Sequence, residues 1–140
     1  MESVRKILPV LSQLLNTQSD LETSSRLSWV LSYLSHGEYE QIQAVIEKID
    51  LKRLCALLVL ENDELTKPVL RVFGNIATGN DEQTTFVFNL GILARLQKLV
   101  DHREVGIQKA VYWCLSNLSS SRPHVQVRIF PFVDFIISFS

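Results

Sequence analysis

The sequence predicts an all-α fold, a right-handed solenoid of stacked three-helix units. Two repeated patterns and the chain length predict it. The segments Leu27–Leu34, Val69–Ile76 and Val111–Leu118 overlay at one spacing: for Trp29, Arg71 and Trp113 the differences 71 − 29 and 113 − 71 are both 42. Tyr33, Asn75 and Asn117 keep the same step, and so does the apolar set Leu8, Leu11, Leu14, Leu15, which recurs as Leu51, Leu54, Leu57, Leu58 and as Leu93, Leu96, Leu99, Val100. A period near 40 residues with helical periodicity inside it is the signature of an α-solenoid. A chain of 140 residues holds about three such units, the practical minimum for a stable stack. The plan is therefore one domain over 1–140: a partial repeat 1–36, repeats 37–78 and 79–119, and a partial or divergent repeat 120–140.

Each element follows from local pattern. Spacings of three, three and one place Leu8, Leu11, Leu14 and Leu15 and their counterparts on one helical face, the core stripe of a middle helix. Ile42, Val45 and Ile46, matched by Thr84, Val87 and Phe88, mark a shorter helix before it. Gly37 and Gly79 introduce these short helices and suit a left-handed residue closing the helix before. Asn80 followed by Gln83 resembles a capping box. The long third helix buries Leu27, Val30, Leu31 and Leu34, repeated as Val69, Val72, Phe73, Ile76 and as Val111, Cys114, Leu115, Leu118. Because proline removes a donor and clashes inside a helix, the one containing Pro68 is expected to start near Thr66, with Pro68 in its first turn. Glu61, Asp63 and Glu64, with Asp101, His102, Arg103 and Glu104, read as solvated turns. Armadillo triplets fit this plan, with HEAT pairs the other architecture of similar period.

Composition narrows the function. A net charge of −1 offers no electrostatic case for nucleic acid or an anionic membrane as partner. Cys55 and Cys114 lie in apolar helical runs without CxxC or Cys/His spacing and read as buried reduced thiols. His36, His102 and His124 show no ligand spacing, so no metal is expected. No signal peptide opens the chain and no apolar stretch has the length of a spanning helix, so a soluble intracellular protein is expected. With no phosphate loop, nucleophile elbow or convergent Ser/His/Asp set, neither an enzyme nor a cofactor is expected.

A binding surface is the remaining possibility, and the third helices carry it. Trp29 and Tyr33, Arg71 and Asn75, Trp113 and Asn117 are pairs four residues apart that share a helical face beside the buried stripe. Stacked helices lie about 9–10 Å apart, close to three residues of an extended peptide at roughly 3.3 Å each. A ladder of Asn amides at that spacing can pair with a peptide backbone, and indoles between the rungs form slots for Lys and Arg stems, each with a cation–π contribution of about 0.5–2 kcal/mol. The same pattern also admits core packing by Trp29 and Trp113, interhelical hydrogen bonds from Asn75 and Asn117, and a salt bridge within the groove from Arg71.

The runs Trp29–Gly37, Gln41–Glu47, Leu70–Thr84 and Trp113–Leu118 resemble the central armadillo repeats of importin α, the adaptor family that binds nuclear localisation signals. The resemblance covers about residues 5–120, and its order Trp/Tyr, Arg/Asn, Trp/Asn matches the fifth to seventh repeats, where Arg replaces the ladder Trp between two signal sites. It implies a peptide-binding surface of Trp29, Tyr33, Arg71, Asn75, Ala77, Thr78, Thr84, Trp113 and Asn117. It implies partners bearing Lys/Arg-rich localisation signals, a role in nuclear import, and a location in cytoplasm and nucleus. Importin β is not expected to bind this chain directly, because the family's basic N-terminal arm is absent from it.

The chain departs from that family in its acids. Arg26 and Ala110 stand three residues before the ladder tryptophans, where the family places a carboxylate, and His36 stands where an Asp is common. Loss of acids from a cation-selecting rim weakens binding and blurs specificity. The alternative is therefore a degenerate armadillo scaffold that docks another protein without reading localisation signals.

Overall fold

The computed structural model describes residues 1–17 and 20–119; the divergent repeat expected over 120–140 lies outside the described residues. The described chain is a succession of helices: α1 (Glu2–Thr17), α2 (Leu21–Leu34), α3 (Tyr39–Lys48), α4 (Leu51–Ala56) continuing as a 3-10 turn over Leu57–Leu60, α5 (Asp63–Ile76), α6 (Asp81–Asn89), α7 (Ile92–Leu99) and α8 (Val105–Ser119). The long helix α5 is the centre of the stack, packed between α2 and α8. Its sequence explains why: Val69, Leu70, Val72, Phe73 and Ile76 give it apolar surface on two sides, and all are buried. The end helices carry narrower stripes. In α2, Leu27 and Leu31 are buried, but Val30, expected in the core, is 37% exposed. Leu14 on α1, also expected in the core, is likewise 43% exposed. No helix among the described residues is long and apolar enough to cross a membrane.

Side-chain caps set the helix starts. Asp20 accepts from the Glu22 N–H at 3.0 Å and Asp50 from the Arg53 N–H at 3.1 Å, each satisfying a donor that the first turn leaves unpaired. The Asn80–Gln83 capping box is present in both directions, 2.9 and 3.0 Å. The Gln83 amide then donates to the Tyr39 carbonyl at 2.9 Å, tying α6 to α3.

Three expectations need correction. Helix α5 begins at Asp63, capped by Asn62, three residues before Thr66, and Pro68 sits inside it. The carbonyl that Pro68 cannot serve belongs to Glu64, four residues earlier, and the Ser25 hydroxyl of α2 donates to it at 2.9 Å. Gly37 and Gly79 are not left-handed; the positive φ values belong to Glu61 and Gly91. The space around Gly79 serves another purpose: a Cβ there would stand 2.2 Å from the Gln83 carboxamide oxygen that completes the capping box. Finally, the acidic and basic turns are not simply solvated. Asp63 meets His102 at 3.1 Å and Lys67 meets Glu104 at 2.8 Å, so these residues join α5 to the α7–α8 turn.

Candidate functional site

Trp29, Arg71 and Trp113 line one groove, together with Lys67, Gly106, Lys109 and Ala110, around a volume of about 500 Å³. Three successive long helices therefore bring the residues of the 42-residue step onto one surface. Trp29 is half-buried, Arg71 exposed and Trp113 39% exposed. Tyr33, one turn beyond Trp29, is 70% exposed.

The Trp113 indole owes its position to a residue the ladder pattern does not point to. Gly74 on α5 faces it so closely that a Cβ on Gly74 would lie 2.2 Å from the six-membered ring. That packing lets an aromatic side chain of α8 lie against the backbone of α5 while an edge stays open to the groove. Glycine within a helix costs about 0.5–1 kcal/mol relative to alanine, so its presence at this contact has a packing reason. Also beneath the groove, the Cys114 thiol donates to the Leu70 carbonyl at 3.0 Å, and complete burial pushes its pKa up to about 12.

The asparagines have a defined job within the stack. The last turn of α5 gives the Phe73, Asn75 and Ile76 carbonyls to the N–H groups of Ala77, Thr78 and Gly79. The Gly74 carbonyl, left out of that set, accepts from Asn117 Nδ2 at 3.0 Å. The arrangement recurs one step earlier: Leu31 and Tyr33 carbonyls take the N–H groups of Ser35 and His36, and the Ser32 carbonyl accepts from Asn75 Nδ2 at 2.8 Å. Each Asn thus fills an acceptor that a helix terminus leaves open on its predecessor. A carbonyl partner fixes the amide orientation, because only Nδ2 can donate to it. Asn75 is consequently buried, at 3% exposure, while Asn117 is half-buried.

The remaining expected ligand contacts separate into two groups. Ala77 and Thr84 are buried, and the Thr84 hydroxyl donates to the Asn80 and Ala77 carbonyls at 3.0 and 3.2 Å, which holds the α5–α6 turn. Thr78 is exposed, with its hydroxyl donating to the Asn75 carbonyl at 2.6 Å. Ala77 and Thr84 therefore shape the turn from beneath.

The groove is also cationic. Lys67 and Lys109 are equivalent residues, each one turn before a ladder residue, Arg71 and Trp113 respectively. The Glu104 carboxylate holds Lys67 and raises its pKa; reciprocally, hydrogen bonding to Lys67 lowers that of Glu104. Among the described residues neither Arg71 nor Lys109 has an ion-pair partner, and no group of three His, Cys, Asp or Glu stands together in a way that could hold a metal ion.

Comparison with known proteins places this geometry. Residues 80–120 match the family model for the armadillo/beta-catenin-like repeat. The chain is 37% identical over 120 residues to importin subunit alpha-1a of Oryza sativa subsp. japonica, covering 85% of this chain and 23% of that protein. It is 40% identical over 99 residues to importin subunit alpha-7 of Arabidopsis thaliana, covering 71% and 19%. The chain is an importin-α-like array of armadillo repeats. It spans about a fifth of the length of the curated relatives it matches. Among solved structures it resembles a designed armadillo repeat protein in complex with peptide (KR)4, with a TM-score of 0.85 and 28% identity over 93% of this chain and 56% of that one. A second designed armadillo repeat protein, YIII(Dq)4CqI, gives a TM-score of 0.85 at 26% identity over the same shares. Importin-α-like armadillo repeats on this scaffold support a peptide-binding module.

Proposed function

We propose that this module binds extended Lys/Arg-rich peptides of the nuclear-localisation type along the groove, and that it does so in nuclear protein import, moving between cytoplasm and nucleus. One observation carries the reading: Trp29, Arg71 and Trp113, spaced at the repeat step, share a single groove on an importin-α-like scaffold. The indoles supply faces for aliphatic stems and for cations. With Asn75 Nδ2 committed to the Ser32 carbonyl, its Oδ1 is the atom left to accept from a peptide N–H. The exposed Thr78 and Tyr33 supply further contacts, and the repeats responsible are 37–78 and 79–119.

A fluorescently labelled Lys/Arg-rich peptide titrated against the full chain tests this by anisotropy. Saturable binding is expected, and Trp113→Ala should weaken it by about two- to thirtyfold, the equivalent of about 0.5–2 kcal/mol of lost cation–π contact. Undiminished binding by Trp113→Ala, or none by the parent chain, contradicts the proposal.

The scaffold reading, in which the groove docks a protein partner other than a localisation signal, is favoured by the groove's charge: its lining has three cations and no carboxylate. Replacing every Lys and Arg of the peptide by Gln separates the two, because only the scaffold reading allows affinity to survive.

A further inference from the structure

The connection from α7 into α8 lends residues to two clefts. His102 lines a lateral cleft of about 540 Å³, with Asp63, Glu61, Lys98 and Arg103, while Gly106 lines the groove, with Lys67. One imidazole organises the segment between them. His102 Nδ1 accepts from the Glu104 N–H at 3.0 Å, so that nitrogen carries no proton; Nε2 carries it and lies 3.1 Å from the Asp63 carboxylate. Glu104, held in this way, meets Lys67 at 2.8 Å through one carboxylate oxygen and accepts from the Gly106 N–H at 3.3 Å through the other. A single residue therefore connects the ring to a cation of the groove. Leu60 stands one repeat step before His102, so the imidazole is no part of the repeated frame.

We propose that His102 is a positioning residue for the groove, and that it makes the binding of Lys/Arg-rich peptides depend on pH. The inference rests on the peptide-binding reading above and adds its regulation. A proton added at Nδ1 turns an acceptor into a donor, which then points at the Glu104 N–H. The contact with Asp63 gains charge assistance at the same moment, so the contact that parts is the one to Glu104. Around the ring, the anions Asp63, Glu61 and Glu104 are matched in number by the cations Lys98, Arg103 and Lys67, and hydrogen-bond geometry decides the outcome. When Glu104 shifts, Lys67 brings an unpaired ammonium to a groove that Arg71 and Lys109 already line, and a basic peptide is repelled. Hydrogen bonding to Lys67 lowers the Glu104 pKa, which keeps that carboxylate ionised while a histidine titrates. Affinity is thus full where His102 is neutral and falls as the pH drops.

Anisotropy titrations of the full chain test this with a labelled Lys/Arg-rich peptide that has blocked termini and no His, Asp or Glu. Between about pH 8 and about pH 5.5, where a histidine side chain gains its charge, affinity should fall about three- to tenfold at constant ionic strength. His102→Asn offers a side-chain oxygen to the same N–H two residues on, without a titrating group. It should match the parent at the higher pH and keep that affinity at the lower one. Glu104→Gln, which deprives Lys67 of its carboxylate, should bind weakly and equally at both. Removing the other two imidazoles, by His36→Gln with His124→Gln, should leave the dependence intact. In the unbound chain the Glu104 backbone amide resonance should move with the same pH midpoint as the affinity, and stay fixed in His102→Asn. Equal affinity of the parent at both pH values, or a dependence that persists in His102→Asn, overturns the role of His102 and leaves peptide binding standing. Failure of the peptide to bind at either pH removes the peptide reading and its regulation together.

Discussion

The α2–α5 and α5–α8 junctions use one device and surround it differently. In both, an Asn of the later helix donates to a carbonyl in the last turn of the earlier helix, Asn75 to Ser32, which also accepts from the Ser35 hydroxyl at 3.2 Å, and Asn117 to Gly74. Around the first lie hydroxyls: Ser24, Ser25, Ser28, Ser32 and Ser35 are all buried, and Ser25 serves the carbonyl freed by Pro68. Around the second lie an indole on a glycine and the pairs Lys67–Glu104 and Asp63–His102. The shared part maintains helix spacing, and the variable part sets what faces the groove. A residue repeated at the period is thus not by that fact a ligand contact, since repetition also marks the joints of the scaffold.

The strongest way to break the comparison is at the shared device. Asn75→Ala removes the buried amide bonds to the Ser32 carbonyl and the Ser35 hydroxyl, leaving that carbonyl with the Ser35 hydroxyl alone, and should cost about 1–3 kcal/mol in urea unfolding. Asn117→Ala, at a half-buried site, should cost about 0.5–1.5 kcal/mol. Equal and negligible losses would show that the Asn bonds do not hold the stack together.

Gly74→Ala sharpens the contrast on the second side. The methyl group would occupy space now filled by the Trp113 ring, so the indole must move outward. Overpacking of this kind costs about 1–3 kcal/mol, partly offset by about 1 kcal/mol of helix propensity. The readout is a change in tryptophan emission with only a small shift in unfolding midpoint; the corresponding Ser32→Ala, on the first side, should leave the emission of Trp113 unchanged.

The fold and the groove were legible in the sequence to different depths. The 42-residue step brought Trp29, Arg71 and Trp113 together, and Asn80 with Gln83 announced their capping box, because both signals are local or periodic. The start of α5 was not legible. Pro68 argues for a helix beginning at Thr66, and the hydroxyl that makes the longer helix tolerable lies 39 residues away on α2. Nor could periodicity reveal Asn as helix closure, since a peptide contact requires the same spacing; the Ser32 and Gly74 carbonyls that accept from the Nδ2 atoms are brought there only by the fold. Gly74 could be noticed only as a glycine in a strongly apolar helix, and its purpose depends on a ring from α8.

The Ser25 contact gives a smaller and cleaner effect. Ser25→Ala should cost about 0.5–1.5 kcal/mol, as for one neutral hydrogen bond. In a Pro68→Ala background, where residue 68 regains an N–H for the Glu64 carbonyl, the same substitution should cost measurably less. A cycle with no coupling would show that Ser25 does not compensate for the proline.

The chain contains two tryptophans, and both line the groove, so its own emission reports occupancy there. Titration with a non-fluorescent Lys/Arg-rich peptide should change tryptophan emission saturably, with the same midpoint that anisotropy gives for its labelled counterpart. Saturable anisotropy with unaltered tryptophan emission would put the peptide elsewhere on the array and contradict the assignment of this groove as the binding site.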